Sequence, residues 1–131
     1  MSDNILVDTS VWIAFFRDTD SDVSVKLKHL LRAGFPVYSG IIATELYRGA
    51  KSKREKVVID DLLSSLNYLE TREEYFKAAG ELGHKLSQLG ITIGTVDLLI
   101  AEIAIATNTA IFTLDTHFAS IARHSSLRLY A

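Results

Sequence analysis

Short runs of apolar residues alternate along the chain with longer stretches in which apolar residues recur every three or four positions. The short runs predict strands at residues 5–7, 35–39, 66–70, 110–114 and 127–130. The longer stretches predict helices at residues 9–17, 21–33, 41–50, 56–65, 72–89, 96–107 and 116–122. Strands that alternate with helices are typical of βαβ units. The sequence therefore predicts an α/β fold with a mostly parallel sheet of about five strands.

Capping residues refine several of the predicted helix ends. Thr9 and Ser10 are expected to cap the first helix, and Thr95 the most apolar one, because their hydroxyls can accept from free backbone amides. Gly34 and Gly90 are expected to end two other helices.

The length of 131 residues predicts one domain spanning residues 1–131, since domains average about 150 residues. The chain has no cysteine, which excludes disulfides and thiolate metal sites. Residues 1–4 lack the basic start of a signal peptide, and Glu102 interrupts an apolar run far shorter than the ~20 residues that cross a bilayer. We therefore expect a cytoplasmic protein without a membrane segment.

The charge is unevenly distributed. The chain has 14 basic and 16 acidic residues, a net charge of −2, whereas residues 45–56 hold five bases and two acids, a net charge of +3. Such a segment can contact a polyanion locally, or it can be a solvated helix end with salt bridges. The candidate contacts to such a polyanion are Arg48, Lys51, Lys53 and Arg54.

Four acids lie at positions where a charged carboxylate is energetically unfavourable. Asp8 and Asp115 directly follow predicted strands, and a parallel sheet opens its ligand crevice at the carboxyl ends of its strands. Asp97 opens the most apolar helix, where the helix dipole favours a negative charge. Glu45 lies near the apolar face of its helix. Together, two strand ends and two helices are predicted to deliver carboxylates to one side of the sheet.

Each acid also has a purely structural interpretation. Asp8 and Asp115 can cap the helices that follow them, Asp97 can pair with the dipole of its helix, and Glu45 can pair with a neighbouring base such as Arg48. Clustered carboxylates, in contrast, stay ionised only beside a counter-charge. Oxygen ligands suit Mg²⁺ or Mn²⁺, which can activate water and neutralise a phosphodiester.

Four sequence blocks carry a resemblance over residues 4 to about 130: ILVDTSVWI, IATELYRGA, TVDLLIA and FTLDTHF. Their acids are separated by 37, 52 and 18 residues. The chain resembles PIN-domain ribonucleases of the VapC toxin type. The resemblance implies a PIN domain, with helices on both faces of the sheet, and a Mg²⁺- or Mn²⁺-dependent endoribonuclease that inhibits translation by cutting tRNA or rRNA.

The resemblance also implies roles for individual residues. The catalytic and metal-binding acids are expected to be Asp8, Glu45, Asp97 and Asp115. Thr113, two residues before the last acid, would orient that carboxylate or a nearby water, and Thr9 would be a supporting hydroxyl. His117 is a further candidate for phosphate contact.

VapC-type proteins pair with a small antitoxin of the VapB type, and the resemblance implies that partner, a homodimer and a larger toxin–antitoxin assembly. The antitoxin arm of this family lies in an apolar groove. Trp12, Phe15 and Phe16 crowd the first helix, and we expect them to line such a groove, although core packing also explains them.

Three other functions fit parts of the sequence. An aspartyl-phosphate phosphatase would need a second acid at position 10, where the chain has serine. A phosphoacceptor signalling domain would need a lysine after the last strands, and no lysine follows residue 85. A non-catalytic RNA-binding module on the same scaffold leaves the four acids without a purpose.

Overall fold

The computed structural model describes residues 4–131, and within them the chain forms one parallel sheet of four strands. The strands are β1 (Ile5–Val7), β2 (Pro36–Ser39), β3 (Asn67–Leu69) and β4 (Ala110–Phe112), and their order is β3-β2-β1-β4. All three pairings are parallel. Parallel neighbours need crossover connections, and here helices supply them. The predicted α/β class with a parallel sheet is confirmed.

Seven helices flank the sheet in the described part of the chain: α1 (Thr9–Arg17), α2 (Asp22–Ala33), α3 (Gly40–Gly49), α4 (Lys53–Ser64), α5 (Glu73–Gln88), α6 (Thr95–Ala106) and α7 (His117–Arg123). Among residues 4–131, no helix has both the length and the apolar character that a membrane crossing requires.

The predicted fifth strand at residues 127–130 is only a single parallel bridge between Ile111 and Leu129. Ile111 exchanges backbone hydrogen bonds with Arg128 and Tyr130, and the described chain ends at residue 131. One bridging residue is too short to count as a strand, so the expectation of about five strands becomes four and an edge contact.

Two helix caps differ from the expected ones, one helix start differs by three residues, and the other starts lie within one residue of the predicted ones. Helix α1 is capped by Asp8, whose carboxylate accepts from the Ser10 amide, rather than by Thr9 or Ser10. Helix α6 includes Thr95 and begins after Gly94 without a side-chain cap. Helix α4 begins at Lys53, three residues before the predicted start, because Ser52 caps it by accepting from the Glu55 amide.

The core lies around strands β1 and β4 and helix α6. Strands β1 and β4 are buried at every position, and six residues of α6 are buried. Helix α5 approaches α6 so closely that a Cβ on Gly83 would lie 2.6 Å from Leu98. Because β1, β4 and α6 are held rigidly by this packing, the residues at their ends are held in fixed positions as well.

Candidate active site and adjoining groove

Asp8 lies at the carboxyl end of β1 and is 6% exposed. Its Oδ2 accepts hydrogen bonds from Ser10 Oγ at 2.7 Å, from Thr113 Oγ1 at 2.9 Å and from the Ser10 amide at 3.3 Å. All three donors use the same oxygen, and Oδ1 is the atom that these bonds do not use. The carboxylate is thus both the cap of α1 and a fixed member of the site.

The two hydroxyls that donate to Asp8, those of Ser10 and Thr113, also tie the end of β1 to the end of β4. Ser10 Oγ accepts from the Leu114 amide at 3.0 Å, and Thr113 Oγ1 accepts from the Asp115 amide at 2.9 Å. Each hydroxyl therefore donates to Asp8 and accepts from the loop after β4. This network fixes the backbone that carries Asp115 relative to Asp8.

Glu45 reaches the site from the middle of α3. Its Oε1 accepts from Thr9 Oγ1 at 2.8 Å, which joins α3 to the first residue of α1. Burial raises the pKa of Glu45, and the neighbouring Asp8 and Asp97 raise it further, against the lowering effects of the Thr9 hydrogen bond and of Arg48. Glu45 therefore lies within electrostatic reach of two other predicted acids.

Asp97, in the first turn of α6, completes the cluster together with Asp115. Burial raises the pKa of Asp97; its hydrogen bond with His117 lowers it, and Asp115 and Asp8 raise it. The side chains of Asp97 and Asp115 are 26% and 35% exposed, so both can still be reached from solution. The structure brings all four predicted acids into one electrostatic unit.

His117 connects two of these acids. Its Nδ1 lies 3.2 Å from Asp97 Oδ2 and 3.4 Å from Asp115 Oδ1. One ligand atom from each of the three residues lies within 4.8 Å of the others. A carboxylate and imidazole set of this kind, beside carboxylates that raise one another's pKa, fits a divalent cation.

A groove of about 440 Å³ adjoins the acids on the side of α3. Its apolar lining comes from α1, α3 and α4 and includes Ile13, Phe16, Leu46, Val58 and Ile59. Glu45 lies in the same lining, so the groove opens onto the acid cluster.

Only Phe16 of the three predicted groove aromatics lines this groove. Trp12 is fully buried and stacks edge-on against Phe15, 6.3 Å between ring centroids, while Phe15 packs against the core. The prediction for Trp12 is therefore wrong, because this ring points into the core. Phe15 also lies outside the lining. Ile13, which is 42% exposed, takes their place.

The basic segment contributes two of its four predicted residues to the groove. Lys51 and Arg54 are in the lining, together with Arg17 of α1. Arg48 acts on Glu45 electrostatically, whereas the exposed Lys53 is outside the lining. Positive charge therefore lies next to the acid cluster, as the sequence predicts, but not at every predicted position.

The sequence assigns Ser10 no role in the site, and it predicts a phosphate contact for His117 rather than a place beside Asp97 and Asp115. The sequence predicts Ser10 only as a helix cap. Its bond to the Leu114 amide joins residues 104 positions apart and therefore leaves no signal in the sequence. For Ile13 a signal exists: Ile13, Phe16 and Arg17 are spaced as i, i+3 and i+4, which places them on one helix face.

Two acids that follow neighbouring parallel strands, gathered with two acids from adjoining helices at the carboxyl edge of the sheet, define an α/β protein with an acidic site where such sheets bind their ligands. The PIN-domain family model matches residues 5–124. The chain belongs to the PIN-domain family.

The relatives are of the VapC type. Ribonuclease VapC11 of Mycobacterium tuberculosis is 31% identical over 128 residues, which cover 95% of this chain and 96% of that protein. The solved structure of VapBC2 from Rickettsia felis, bound to a DNA fragment from their promoter, has a TM-score of 0.80 and 25% identity, with 96% of each chain covered. DNA-bound VapBC from Salmonella typhimurium has a TM-score of 0.79 and 21% identity, with 99% of this chain and 98% of that chain covered.

Proposed function

We propose that the protein is a metal-dependent endoribonuclease and the toxin of a toxin–antitoxin pair. The observation that carries this proposal is the convergence of Asp8, Glu45, Asp97 and Asp115 on one edge of the sheet, in a chain that matches VapC ribonucleases over nearly its whole length. We further propose that residues 1–131 are one domain and that it acts in the cytoplasm, where its RNA targets are.

Asp8, Asp97 and Asp115 would hold Mg²⁺ or Mn²⁺, with Glu45 completing the site. A bound divalent cation supplies charge neutralisation at the scissile phosphate and an activated water for the attack. The residues present fit that ion, because carboxylate oxygens are the ligands that it prefers and Asp97, Asp115 and His117 each offer one ligand atom within 4.8 Å of the others.

The surrounding hydroxyls keep the carboxylates in position. Ser10 and Thr113 orient Asp8 through Oδ2, and Thr9 orients Glu45 through Oε1. Since these donors are already hydrogen-bonded in the free protein, the acids need little rearrangement when RNA arrives. Thr113 also holds the Asp115 amide, so one side chain positions two acids.

Lys51 and Arg54 are placed to bind phosphates that flank the scissile bond, because they line the groove that contains Glu45. RNA is negatively charged and would approach four acids, so positive side chains nearby are needed to offset the repulsion. Targets within tRNA or rRNA, which the resemblance implies, are part of this proposal.

The antitoxin would occupy the same groove. An apolar floor with Ile13, Phe16 and Val58, beside the charged residues Arg17 and Arg54, suits the apolar face of an antitoxin arm of the VapB type. The structures of VapBC complexes with similar folds support such a partner. A homodimer stays a prediction from the resemblance.

The test is cleavage of a total-RNA pool with mapping of new 5′ ends, using wild type, Asp8→Asn and the control Asp61→Asn on the exposed face of α4. Each protein is assayed with Mg²⁺, with Mn²⁺ and with chelator. We expect discrete ends from wild type and Asp61→Asn only when metal is present, and an Asp8→Asn signal reduced by about a thousandfold, the equivalent of roughly 4 kcal/mol. Absence of cleavage by folded, antitoxin-free wild type at every metal concentration would favour a non-catalytic RNA-binding module instead.

A further inference from the structure

His117 is the first residue of α7 and is attached to the acid cluster at two points. Its backbone amide donates to Asp115 Oδ1 at 2.9 Å. Its ring Nδ1 faces Asp97 Oδ2 at 3.2 Å and the same Asp115 oxygen at 3.4 Å. The ring is 58% exposed, so burial in the core does not explain why it turns toward the two carboxylates.

We propose that His117 Nδ1 is a metal ligand, which together with Asp97 and Asp115 forms a mixed nitrogen and oxygen position that binds Mn²⁺ in preference to Mg²⁺. This inference rests on the proposed function for the presence of a divalent cation. It adds the identity of a third ligand and a selectivity between ions that carboxylates alone do not provide.

The distances support a shared ion. When a cation has octahedral ligands near 2.1 Å, adjacent ligand atoms lie roughly 3 Å apart. Nδ1 lies 3.2 Å from one carboxylate oxygen and 3.4 Å from another, and one ligand atom of each of the three residues lies within 4.8 Å of the others, so the spacing suits a shared ion.

The chemistry of the ligands supplies the selectivity. Mg²⁺ prefers oxygen and gives up its waters reluctantly, whereas imidazole nitrogen suits transition metals. The remaining acids of the cluster, Asp8 and Glu45, offer only oxygen. His117 is therefore the residue that gives the site a preference for Mn²⁺.

A competing role for His117 is that of a counter-charge, in which a proton on Nδ1 bridges Asp97 and Asp115 until a cation displaces it. The two roles predict opposite effects of removing the ring. Loss of a ligand weakens Mn²⁺ binding, whereas loss of a competing positive charge strengthens it or leaves it unchanged.

The test is titration of the full-length, metal-free protein with Mn²⁺, followed by electron paramagnetic resonance with detection of ligand nitrogen. Wild type is compared with His117→Ala and with the control His84→Ala, at an exposed position of α5 outside the metal cluster. Protein labelled with ¹⁵N at histidine shows whether the coupled nitrogen comes from the chain rather than from buffer. Mg²⁺ affinity is measured in the same samples by competition with Mn²⁺.

We expect nitrogen coupling in wild type and His84→Ala, its change on ¹⁵N labelling, and its loss in His117→Ala. Mn²⁺ affinity should fall at least about tenfold in His117→Ala, while Mg²⁺ affinity changes less than about threefold. Persistent coupling in His117→Ala, equal losses for both ions, unchanged or stronger Mn²⁺ binding, or no Mn²⁺ binding by wild type would each overturn the proposal.

The binding measurement contains no RNA, so the two proposals fail in different ways. Metal-dependent cleavage without nitrogen coupling would remove His117 as a ligand and leave the nuclease intact. Nitrogen coupling without cleavage of any RNA would do the reverse.

Discussion

The acid cluster has two sides that are built differently. On the strand side, Asp8 accepts three hydrogen bonds, and hydroxyls that also hold the loop after β4 provide two of them. On the helix side, Glu45 accepts one side-chain hydrogen bond, from Thr9, and faces an open groove. The strand side is fixed by many contacts, whereas the helix side depends on one.

This difference separates two tasks. In the proposed function, the strand side holds a cation in one geometry, and its groups are preorganised by the folded backbone. The side that must accept a partner or a nucleic acid has an exposed apolar and basic lining, which can adapt to what binds. Substitutions on the two sides should therefore differ in the size and in the kind of their effects.

Among substitutions of the supporting side chains, the largest effect is expected for Ser10→Ala on the strand side. The substitution removes the hydroxyl between Asp8 Oδ2 and the Leu114 amide, so both Asp8 and the loop that carries Asp115 lose support. We expect RNA cleavage to fall roughly a hundredfold, as for a reacting group displaced by about 1 Å. The free energy of unfolding should fall by only about 1 kcal/mol. Single-turnover cleavage and urea denaturation measure the two quantities.

Ser10→Thr is the matched control, because it keeps the hydroxyl. It should retain most of the wild-type rate. Equal losses in Ser10→Ala and Ser10→Thr would show that the hydroxyl does not position the site.

A smaller loss is expected for Thr9→Val on the helix side. Only the hydrogen bond to Glu45 is removed, and a bond to a charged group contributes about 1.5 kcal/mol, or roughly tenfold in rate. Thr44→Val on α3, the helix that carries Glu45, is the control, since the Thr44 hydroxyl donates to the Gly40 carbonyl and not to the site. If Thr9→Val lost as much activity as Ser10→Ala, the two sides would not differ in the way that we describe.

The free energy of unfolding should depend on pH through two acids of the cluster, Glu45 and Asp97. Glu45 and Asp97 have folded-state pKa values above their ordinary ones, so the folded protein retains their protons longer than the unfolded chain does. Their contribution is fully present below the unfolded pKa and is lost as pH rises through the folded pKa. We therefore expect metal-free protein to lose stability as pH rises above about 4, and Asp97→Asn to reduce this loss.

Thermal unfolding across pH, with and without Mn²⁺, measures this dependence. A bound cation should cancel the part of this pH dependence that comes from Glu45 and Asp97. Glu102, whose pKa is raised by burial alone, is an internal reference, because its part should persist with metal and disappear in Glu102→Gln. A pH dependence that metal leaves unchanged would argue against a cation at the cluster.

The sequence was sufficient for the acids and insufficient for the contacts that hold them. Asp8 and Asp115 could be predicted because they directly follow short apolar runs typical of buried parallel strands, whose carboxyl ends form the ligand crevice. The Ser10 and Thr113 bonds could not, since they join residues more than 100 positions apart and depend on how the two strand ends align. The position of His117 depends on where a seven-residue helix begins.

Helix α1 shows a different kind of failure. Trp12, Phe15 and Phe16 are predicted as one groove-lining group, and spacing alone does not separate them, because Trp12 and Phe16 are four residues apart and lie on the same side of the helix. Trp12 lies in the core, whereas Phe16 lies in the groove with Ile13. Which of these rings lines the groove depends on the positions of α3 and α4, which form the groove together with α1 and lie later in the chain.

The smallest effects are expected from the basic residues of the groove. Lys51→Ala and Arg54→Ala should each weaken binding of single-stranded RNA only a few-fold and reduce the salt dependence of binding by about 0.7 per charge removed. Lys53→Ala is the matched control, because this exposed lysine belongs to the same basic segment but is outside the groove lining. Binding to the non-cleaving Asp8→Asn protein, measured over a range of salt concentrations, gives the slopes. If all three substitutions changed the slope equally, RNA would respond to the charge of the whole segment rather than to the groove, and the helix side would be an electrostatic surface instead of a defined binding site.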